Sequence, residues 1–373
     1  MNFLVDAFID NNLGDDLMLE LLVQRFPAIT FFCLRDAKLN AQAPYRDWPN
    51  LLVPDWADLD RILPFMDGLL IFGGSAWQDH GNNLDWFGWR TKALKTLKAR
   101  GCPALAIGNN IGPVSTEEGR QLFVALLRRF DCVVVRDQAS HAWMEDNVGP
   151  DRGKLGADLV LNYPVPCVDR EAGLVGISVH RTVLFPERNA PYVEHMVLMV
   201  RALRKARPDL RFRFLAFDTI TENDEILVDQ ILARLAWPAW ASKATYRGDI
   251  PAFLDAFGAC DRIFASRFHA LVLALLFGQP FVPFDYMGKT GNLLQDLSYE
   301  GIRATHDGFE GQIDAICTQL LHPRPCFDGQ AFKTMKERAS INFSEMEHHM
   351  HQASPSAFKR TVLSLLGRAP GRD

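Results

Sequence analysis

The sequence predicts an α/β protein built as two doubly wound, Rossmann-like domains that face each other across a cleft. Three observations carry that reading. Apolar runs of strand length alternate with amphipathic runs of helix length almost throughout, as in parallel sheets covered by helices on both faces. The alternation stops once, at residues 162–173, where two prolines and little periodicity mark a linker, and then restarts. Polar residues and glycines gather just after the strands, which is where open parallel sheets bind ligands. An N-terminal domain is therefore expected over 1–165, a C-terminal domain over 172–350 and a last amphipathic helix over 354–367.

In the first half, an apolar strand at 3–8 leads through a loop into a helix carrying Leu17, Leu19, Leu21 and Leu22. Strands follow at 29–34 and at 68–72, the latter running into Gly73, Gly74 and Ser75. A helix near 89–100 precedes a strand at 104–107, and another helix reaches residue 130. Ser115 and Glu118 have the spacing of a capping box, so that helix is expected to start at Ser115. A strand at 132–135 ends in Arg136 and Asp137, and the apolar segment 155–161 closes the unit. The second half repeats the scheme with strands at 174–179, 211–217, 243–246, 263–265 and 280–284. Helices are expected at 192–207, through Leu235, at 251–259 and directly after the strand at 263–265.

A chain of 373 residues accommodates two domains of ordinary size. Its 48% hydrophobic and 23% charged residues suit a soluble globular enzyme. A net charge of −5 excludes a broad basic field for nucleic acid or anionic lipid, so any anion site must be built locally. The seven cysteines form no CxxC or Cys/His zinc spacing and read as buried thiols in a reducing cytoplasm. No run reaches the ~18 apolar residues of a membrane span, and residues 1–6 lack the basic and apolar regions of a leader. A cytoplasmic protein with at most peripheral membrane association is expected. No HExxH, Gly-x-Ser-x-Gly or phosphate-loop glycine pattern occurs, and His348, His349 and His351 are spaced like a helix surface. Neither a metal nor a cofactor is expected.

The richest segment is Ser266-Arg267-Phe268-His269, which sits where the strand at 263–265 gives way to a helix. Such a junction offers free backbone N–H groups and the positive end of a helix dipole. A guanidinium and an imidazole added there suit a phosphate or a carboxylate, and the imidazole, with an ordinary pKa near working pH, can also move a proton. Other strand ends point to the same crevice. Asn11, Gly14 and Asp15 form one loop, either a turn with a helix cap or a contact for a sugar hydroxyl. Gly73, Gly74 and Asn109 allow the same two readings. Arg136 with Asp137 is a local ion pair or a crevice cation, and Asp158, a carboxylate among apolar neighbours, must find a partner. Arg181, after His180, opens the second domain, and Lys289 has room between Gly288 and Gly291.

In order along the chain, Asn11-x-x-Gly14-Asp15, Gly73-Gly74, Ile111-Gly112-Pro113, Val135-Arg136-Asp137-x-x-Ser140, Ala157-Asp158-Leu159, Gly176-Ile177-Ser178-Val179, Ser266-Arg267-Phe268-His269-Ala270 and Lys289 resemble the polysaccharide pyruvyl transferase family. The resemblance spans about residues 1–300 and rests most on the Arg-x-His element. It implies a GT-B-like fold, phosphoenolpyruvate as donor, and as acceptor a sugar of a glycan or of a lipid-linked oligosaccharide precursor. The product would be a pyruvate ketal made by transfer to two hydroxyls, as in exopolysaccharide and other cell-surface glycan synthesis. Arg267 and His269 would bind the donor and supply acid chemistry, with Arg181 and Lys289 as further donor contacts. On the acceptor side, Asn11, Gly14, Asp15, Gly73, Gly74 and Asn109 would line the cleft. Either Asp15 or Asp158 would serve as base. A GT-B glycosyltransferase using a nucleotide sugar, and a non-catalytic receptor for a phosphorylated glycan, stay open as alternatives.

Overall fold

A computed structural model describes residues 1–35, 44–79, 84–285 and 288–352; the helix expected at 354–367 lies outside the described residues. The first half runs β1 (Asn2–Asp6), α1 (Leu13–Arg25), β2 (Thr30–Cys33), β3 (Leu51–Leu52), α2 (Leu59–Ile62), β4 (Gly68–Phe72), α3 (Phe87–Ala99), β5 (Ala104–Asn109), α4 (Glu117–Leu127), β6 (Cys132–Val135), α5 (Gln138–Asn147) and β7 (Lys154–Leu155). The second runs β8 (Glu171–Val179), α6 (Asn189–Ala206), β9 (Arg211–Ala216), α7 (Glu225–Arg234), β10 (Ala241–Thr245), α8 (Ile250–Gly258), β11 (Cys260–Ala265), α9 (Phe268–Leu276), β12 (Phe281–Pro283), α10 (Gly288–Asp296), α11 (Phe309–Leu321) and α12 (Gly329–Gln352).

The strands form two parallel sheets, ordered β3-β2-β1-β4-β5-β6-β7 and β10-β9-β8-β11-β12. Central strands such as β4, β5 and β6 are buried along their whole length, so both faces select apolar residues and the alternation of an exposed sheet is absent. In each sheet the order reverses beside the first strand, at β1/β4 and at β8/β11. Those reversals open crevices beyond the carboxyl ends of the strands.

One hydrophobic core continues from domain to domain: Leu13 and Leu17 of α1 belong to the same cluster as Phe217, Phe257 and Phe268. Polar bolts flank it. Leu13 N–H donates to the Phe217 carbonyl at 3.0 Å. The Tyr246 hydroxyl donates to Asp16 Oδ2 at 2.7 Å, and Asn11 Nδ2 donates to Thr219 Oγ1 at 2.5 Å. Burial holds the Asp16 carboxyl well above the usual carboxylate range, against the pull of that hydroxyl. The width of the cleft is thus set by a continuous packed joint.

Two expectations are corrected. Helix α4 is capped by Thr116, whose hydroxyl accepts from Gly119 N–H at 3.0 Å, and not by Ser115. Ser115 is taken by Asp79, which accepts from its N–H at 2.7 Å and its hydroxyl at 2.8 Å. Together with matching bonds from Thr116, these outweigh the effect of burial and hold Asp79 down to about 2. The second departure is α12, a helix of 24 residues that the sequence pattern did not announce. It leaves the second domain and packs on β5, β6 and the 3₁₀ turn Leu159–Asn162 of the first. Its buried stripe is Met335, Ala339, Asn342, Phe343, Met346 and Met350, spaced by three and four. Asn342 pins it by donating to the Ala157 carbonyl at 2.9 Å.

Candidate active site

Between the sheets lies a cavity of about 350 Å³. The first domain contributes Asp10, Asn12, Asp15, Gly74 and Arg136, all just beyond strand ends. The second contributes Asp218, Glu222, Arg267, His269 and Lys289. Each sheet delivers its loops to this crevice for the topological reason given above.

The Ser266-to-His269 junction is held by the neighbouring strand. Ser178 of β8 accepts from the N–H groups of Ser266 at 2.8 Å and Arg267 at 3.0 Å, and Tyr192 bonds Ser266 Oγ at 2.8 Å. Arg267 is buried, and its guanidinium lines the cavity while being gripped from behind. Nε donates to Asp224 Oδ2 at 2.9 Å, Nη2 to Asp224 Oδ1 and Nη1 to Glu222. Burial pushes the Asp224 carboxyl up to about 6 despite Arg267. At Glu222, burial is outweighed by Arg267 and His180, and its carboxyl lies far below the usual range.

His269 packs its ring against Gly14: a Cβ at that position would lie 1.7 Å from Nδ1. Its Nε2 faces Asp158 Oδ1 at 3.7 Å, and among the described residues nothing hydrogen-bonds that nitrogen. Asp158 is itself fixed by Arg136 Nη1 at 3.2 Å and Val160 N–H at 3.0 Å. Arg136 in turn stacks over the Phe268 ring at 4.4 Å. Burial lowers the imidazole to about 4; Asp158 opposes this, while Arg136, Lys289 and Arg267 reinforce it. The expectation of an imidazole near its ordinary pKa is therefore corrected: with these neighbours His269 is neutral at neutral pH.

The remaining ionisable groups are tuned as well. Burial lifts Asp15 to about 7 against the pull of Lys289, and burial with Arg136 lowers Lys289 to about 8. The cavity therefore holds a carboxyl that can accept a proton near neutrality and three basic side chains, from Arg136, Arg267 and Lys289.

Several expected residues sit elsewhere. Arg181 does not line the cavity; its Nη1 donates to the Glu222 carbonyl at 2.5 Å and its N–H to Asp224 at 2.9 Å. The arginine that the first domain brings to the cavity is Arg136. Asn109 is buried and joins two strand ends by donating to the Gly73 carbonyl at 2.6 Å. Asn11, held at φ 54°, bonds the second domain. Of the six acceptor-side residues, Asp15 and Gly74 line the main cavity, whereas Gly14 shapes it from behind.

Gly73 borders a second chamber of about 270 Å³ that shares Phe8 and Asp10 with the first. Its walls carry Trp56, Trp86, Arg35 and the Arg90–Asp6 ion pair. Trp56 meets Trp86 edge-on with centroids 5.3 Å apart. Apolar faces beside fixed polar groups suit a sugar ring. Among the described residues, the one group of His, Cys and carboxylate side chains with converging ligand atoms lies away from the cleft, at Cys132.

Two parallel α/β sheets facing one another, with a charged cleft at the carboxyl ends of their strands, define a GT-B fold. Solved structures of that architecture align along nearly the whole chain. A UDP-GlcNAc 2-epimerase from Methanocaldococcus jannaschii matches with a TM-score of 0.61 at 8% identity, covering 93% of this chain and 100% of its own. The S. aureus protein MnaA, solved with UDP, gives 0.61 at 12%, covering 96% and 100%. Sucrose-phosphate synthase from Thermosynechococcus elongatus gives 0.54 at 13%, covering 95% and 100%. At such identities the likeness is one of fold. No curated protein sequence matches the chain. The sequence model of the polysaccharide pyruvyl transferase family matches residues 12–287, and the chain belongs to that family. The match includes Arg136, Arg267 and His269 and ends just before Lys289. No helix among the described residues is long and apolar enough to cross a membrane.

Proposed function

We propose that the chain moves the enolpyruvyl unit of phosphoenolpyruvate onto two hydroxyls of one sugar, in a glycan or a lipid-linked precursor, leaving a pyruvate ketal and inorganic phosphate. The observation that carries this is the meeting of Arg136, Arg267 and Lys289 with His269 and Asp15 in one cavity. A small trianion needs several cations at close quarters, whereas the overall charge of −5 supplies none at long range.

Ketal formation adds a proton to C3 of the enol phosphate. A sugar oxygen bonds to C2, the C2–O bond to phosphate breaks, and a second hydroxyl closes the ring, each hydroxyl giving up its proton. His269 is the acid in this scheme. Asp158 stands behind Nε2, so Nδ1 is the nitrogen that delivers the proton, and Asp158 is a positioning residue. Asp15, poised near 7, takes the acceptor proton. The acceptor ring enters from the tryptophan-walled chamber. Free cysteines suit the reducing cytoplasm in which the reaction is placed.

The scheme makes His269 depend on its substrate. Its pKa of about 4 reflects burial and the surrounding cations, and a bound phosphate dianion offsets both. Phosphoenolpyruvate binding should therefore take up protons from about pH 4 up to the imidazole pKa of the complex, and affinity should fall as pH rises through that pKa. Asp15, near 7, takes up protons as well when an anion binds, so calorimetry in buffers of different ionisation enthalpy is read in an Asp15→Asn background, where His269→Asn should abolish most of the uptake. Uptake unchanged in that variant would remove His269 as the acid.

The direct test incubates the protein with phosphoenolpyruvate and a panel of glycosides, following phosphate and product mass. Phosphate release with the mass gain of a ketal supports the proposal. Thermal stabilisation by UDP- or GDP-sugars, with none by phosphoenolpyruvate, would favour the glycosyltransferase alternative.

A further inference from the structure

We propose that Cys132, Glu345 and His349 form a site for a divalent transition metal of the zinc class, tying the last helix to the first sheet. Cys132 begins β6, at the end of the strand opposite the one that leads to Arg136 and the cleft. Helix α12 presents Glu345 and His349 one turn apart on the same face. Cys132 Sγ lies 3.5 Å from Glu345 Oε2, and His349 Nε2 lies 3.9 Å from the same oxygen. All three ligand atoms fall within 4.8 Å of one another.

In this structure the cluster is held only weakly, by a thiol hydrogen bond from Cys132 to Glu345 Oε2 and a long ion pair from His349 to the same oxygen. Metal coordination would bind the three ligand atoms more firmly. Bonds of about 2.0–2.3 Å at tetrahedral angles place neighbouring ligand atoms roughly 3.3–3.6 Å apart. Closing the observed gaps needs only side-chain adjustment. The other carboxylate oxygen, Glu345 Oε1, is held by Lys154 Nζ at 2.7 Å, which turns Oε2 toward the cysteine and the histidine. An outer partner of this kind is what orients a metal-binding carboxylate.

A thiolate, an imidazole and one carboxylate form a borderline-soft set that favours zinc-class ions over calcium or magnesium. Cys132 is buried, while the His349 and Glu345 side chains are 20% and 19% exposed, so a fourth position faces water. On binding, the Cys132 thiol releases its proton to solvent and its sulfur pair bonds the ion, with no redox step. The ligands come from two elements 213 residues apart, and the neighbouring histidines His348 and His351 are not needed.

The test uses the full chain, stripped with chelator and titrated with Co²⁺. One ion should bind, with thiolate-to-cobalt charge-transfer absorption in the near ultraviolet, and Zn²⁺ should displace it. Cys132→Ser should remove that absorption although the other cysteines remain. No such band, or one that persists in Cys132→Ser, would overturn the site. His349→Ala leaves strand and thiol in place should the serine variant fail to fold. It should weaken Co²⁺ binding by more than about 100-fold, and unchanged affinity there would be equally fatal.

Discussion

Replacing Gly14 with alanine should cut turnover about 10²–10⁴-fold in a protein that remains folded. Gly14 lies in the first turn of α1, outside the left-handed region, where alanine is the better helix former by about 1 kcal/mol. The added methyl is a backbone gain and a site loss. Its carbon would stand 1.7 Å from His269 Nδ1, 2.2 Å from Cγ and 2.5 Å from Cε1, so the ring must leave its place. Reacting groups displaced by about an ångström lose rate on the order of 10², and an acid turned away from its proton acceptor loses its whole contribution. His269→Ala should show a similar fall. The discriminating variant combines both changes: if Gly14 acts only by making room for the imidazole, the double variant is no slower than His269→Ala alone. Phosphate release by the three variants, with circular dichroism as a check of fold, decides this. Normal turnover by Gly14→Ala would take His269 out of the chemistry, and losses that multiply in the double variant would mean that Gly14 acts by a route other than making room for the imidazole.

That contact joins residues 255 positions apart, and nothing local in the sequence announces it. What was legible is the part of the molecule governed by short-range rules. Strands buried on both faces read as unbroken apolar runs, so β4 and β6 match their expected limits. The two-residue strands β3 and β7 at the sheet edges are too short to carry a pattern. Helix α12 spreads its buried stripe over three methionines, one alanine, one phenylalanine and one asparagine among charged residues. Strand-end reasoning brought Asp15, Gly74, Arg267, His269 and Lys289 to one crevice because topology alone dictates which edge they reach. It misplaced Arg181 because an edge position does not say which way a side chain turns; the backbone carbonyl of Glu222, in the loop before α7, takes its guanidinium, while the Glu222 and Asp224 carboxylates hold Arg267. Those two carboxylates were missed altogether. They sit between a strand and a helix with no periodic or motif signal, and their importance comes from a partner more than forty residues away. The cap of α4 shows the same limit on a smaller scale: distant Asp79 bonds both hydroxyls, and only the turn that follows makes Thr116 rather than Ser115 the cap.

Arg267 therefore has two duties that a single substitution cannot separate. Its fork holds the fully buried Asp224 and reaches Glu222, while the guanidinium also lines the cavity. Arg267→Ala should cost about 3–5 kcal/mol, because it strands a buried carboxylate. The loss should grow with pH. Burial already holds Asp224 at about 6 with Arg267 present, and without that cation its pKa rises further. At about pH 5 the carboxyl is protonated and needs no counter-charge, whereas at about pH 8 it must either stay ionised unpaired or hold a proton against the solution. Denaturant unfolding at the two pH values measures the difference, and a pH-independent loss would mean that Asp224 is not the group left behind. Arg267→Ala combined with Asp224→Asn removes the stranded charge and should recover most of the stability. If Arg267 also grips the donor, the apparent affinity for phosphoenolpyruvate stays at least about tenfold weaker in that rescued protein, since the neutral amide introduced by Asp224→Asn offers no cation in exchange. Recovery of donor affinity together with stability would reduce Arg267 to a structural strut and leave the anion to Arg136 and Lys289.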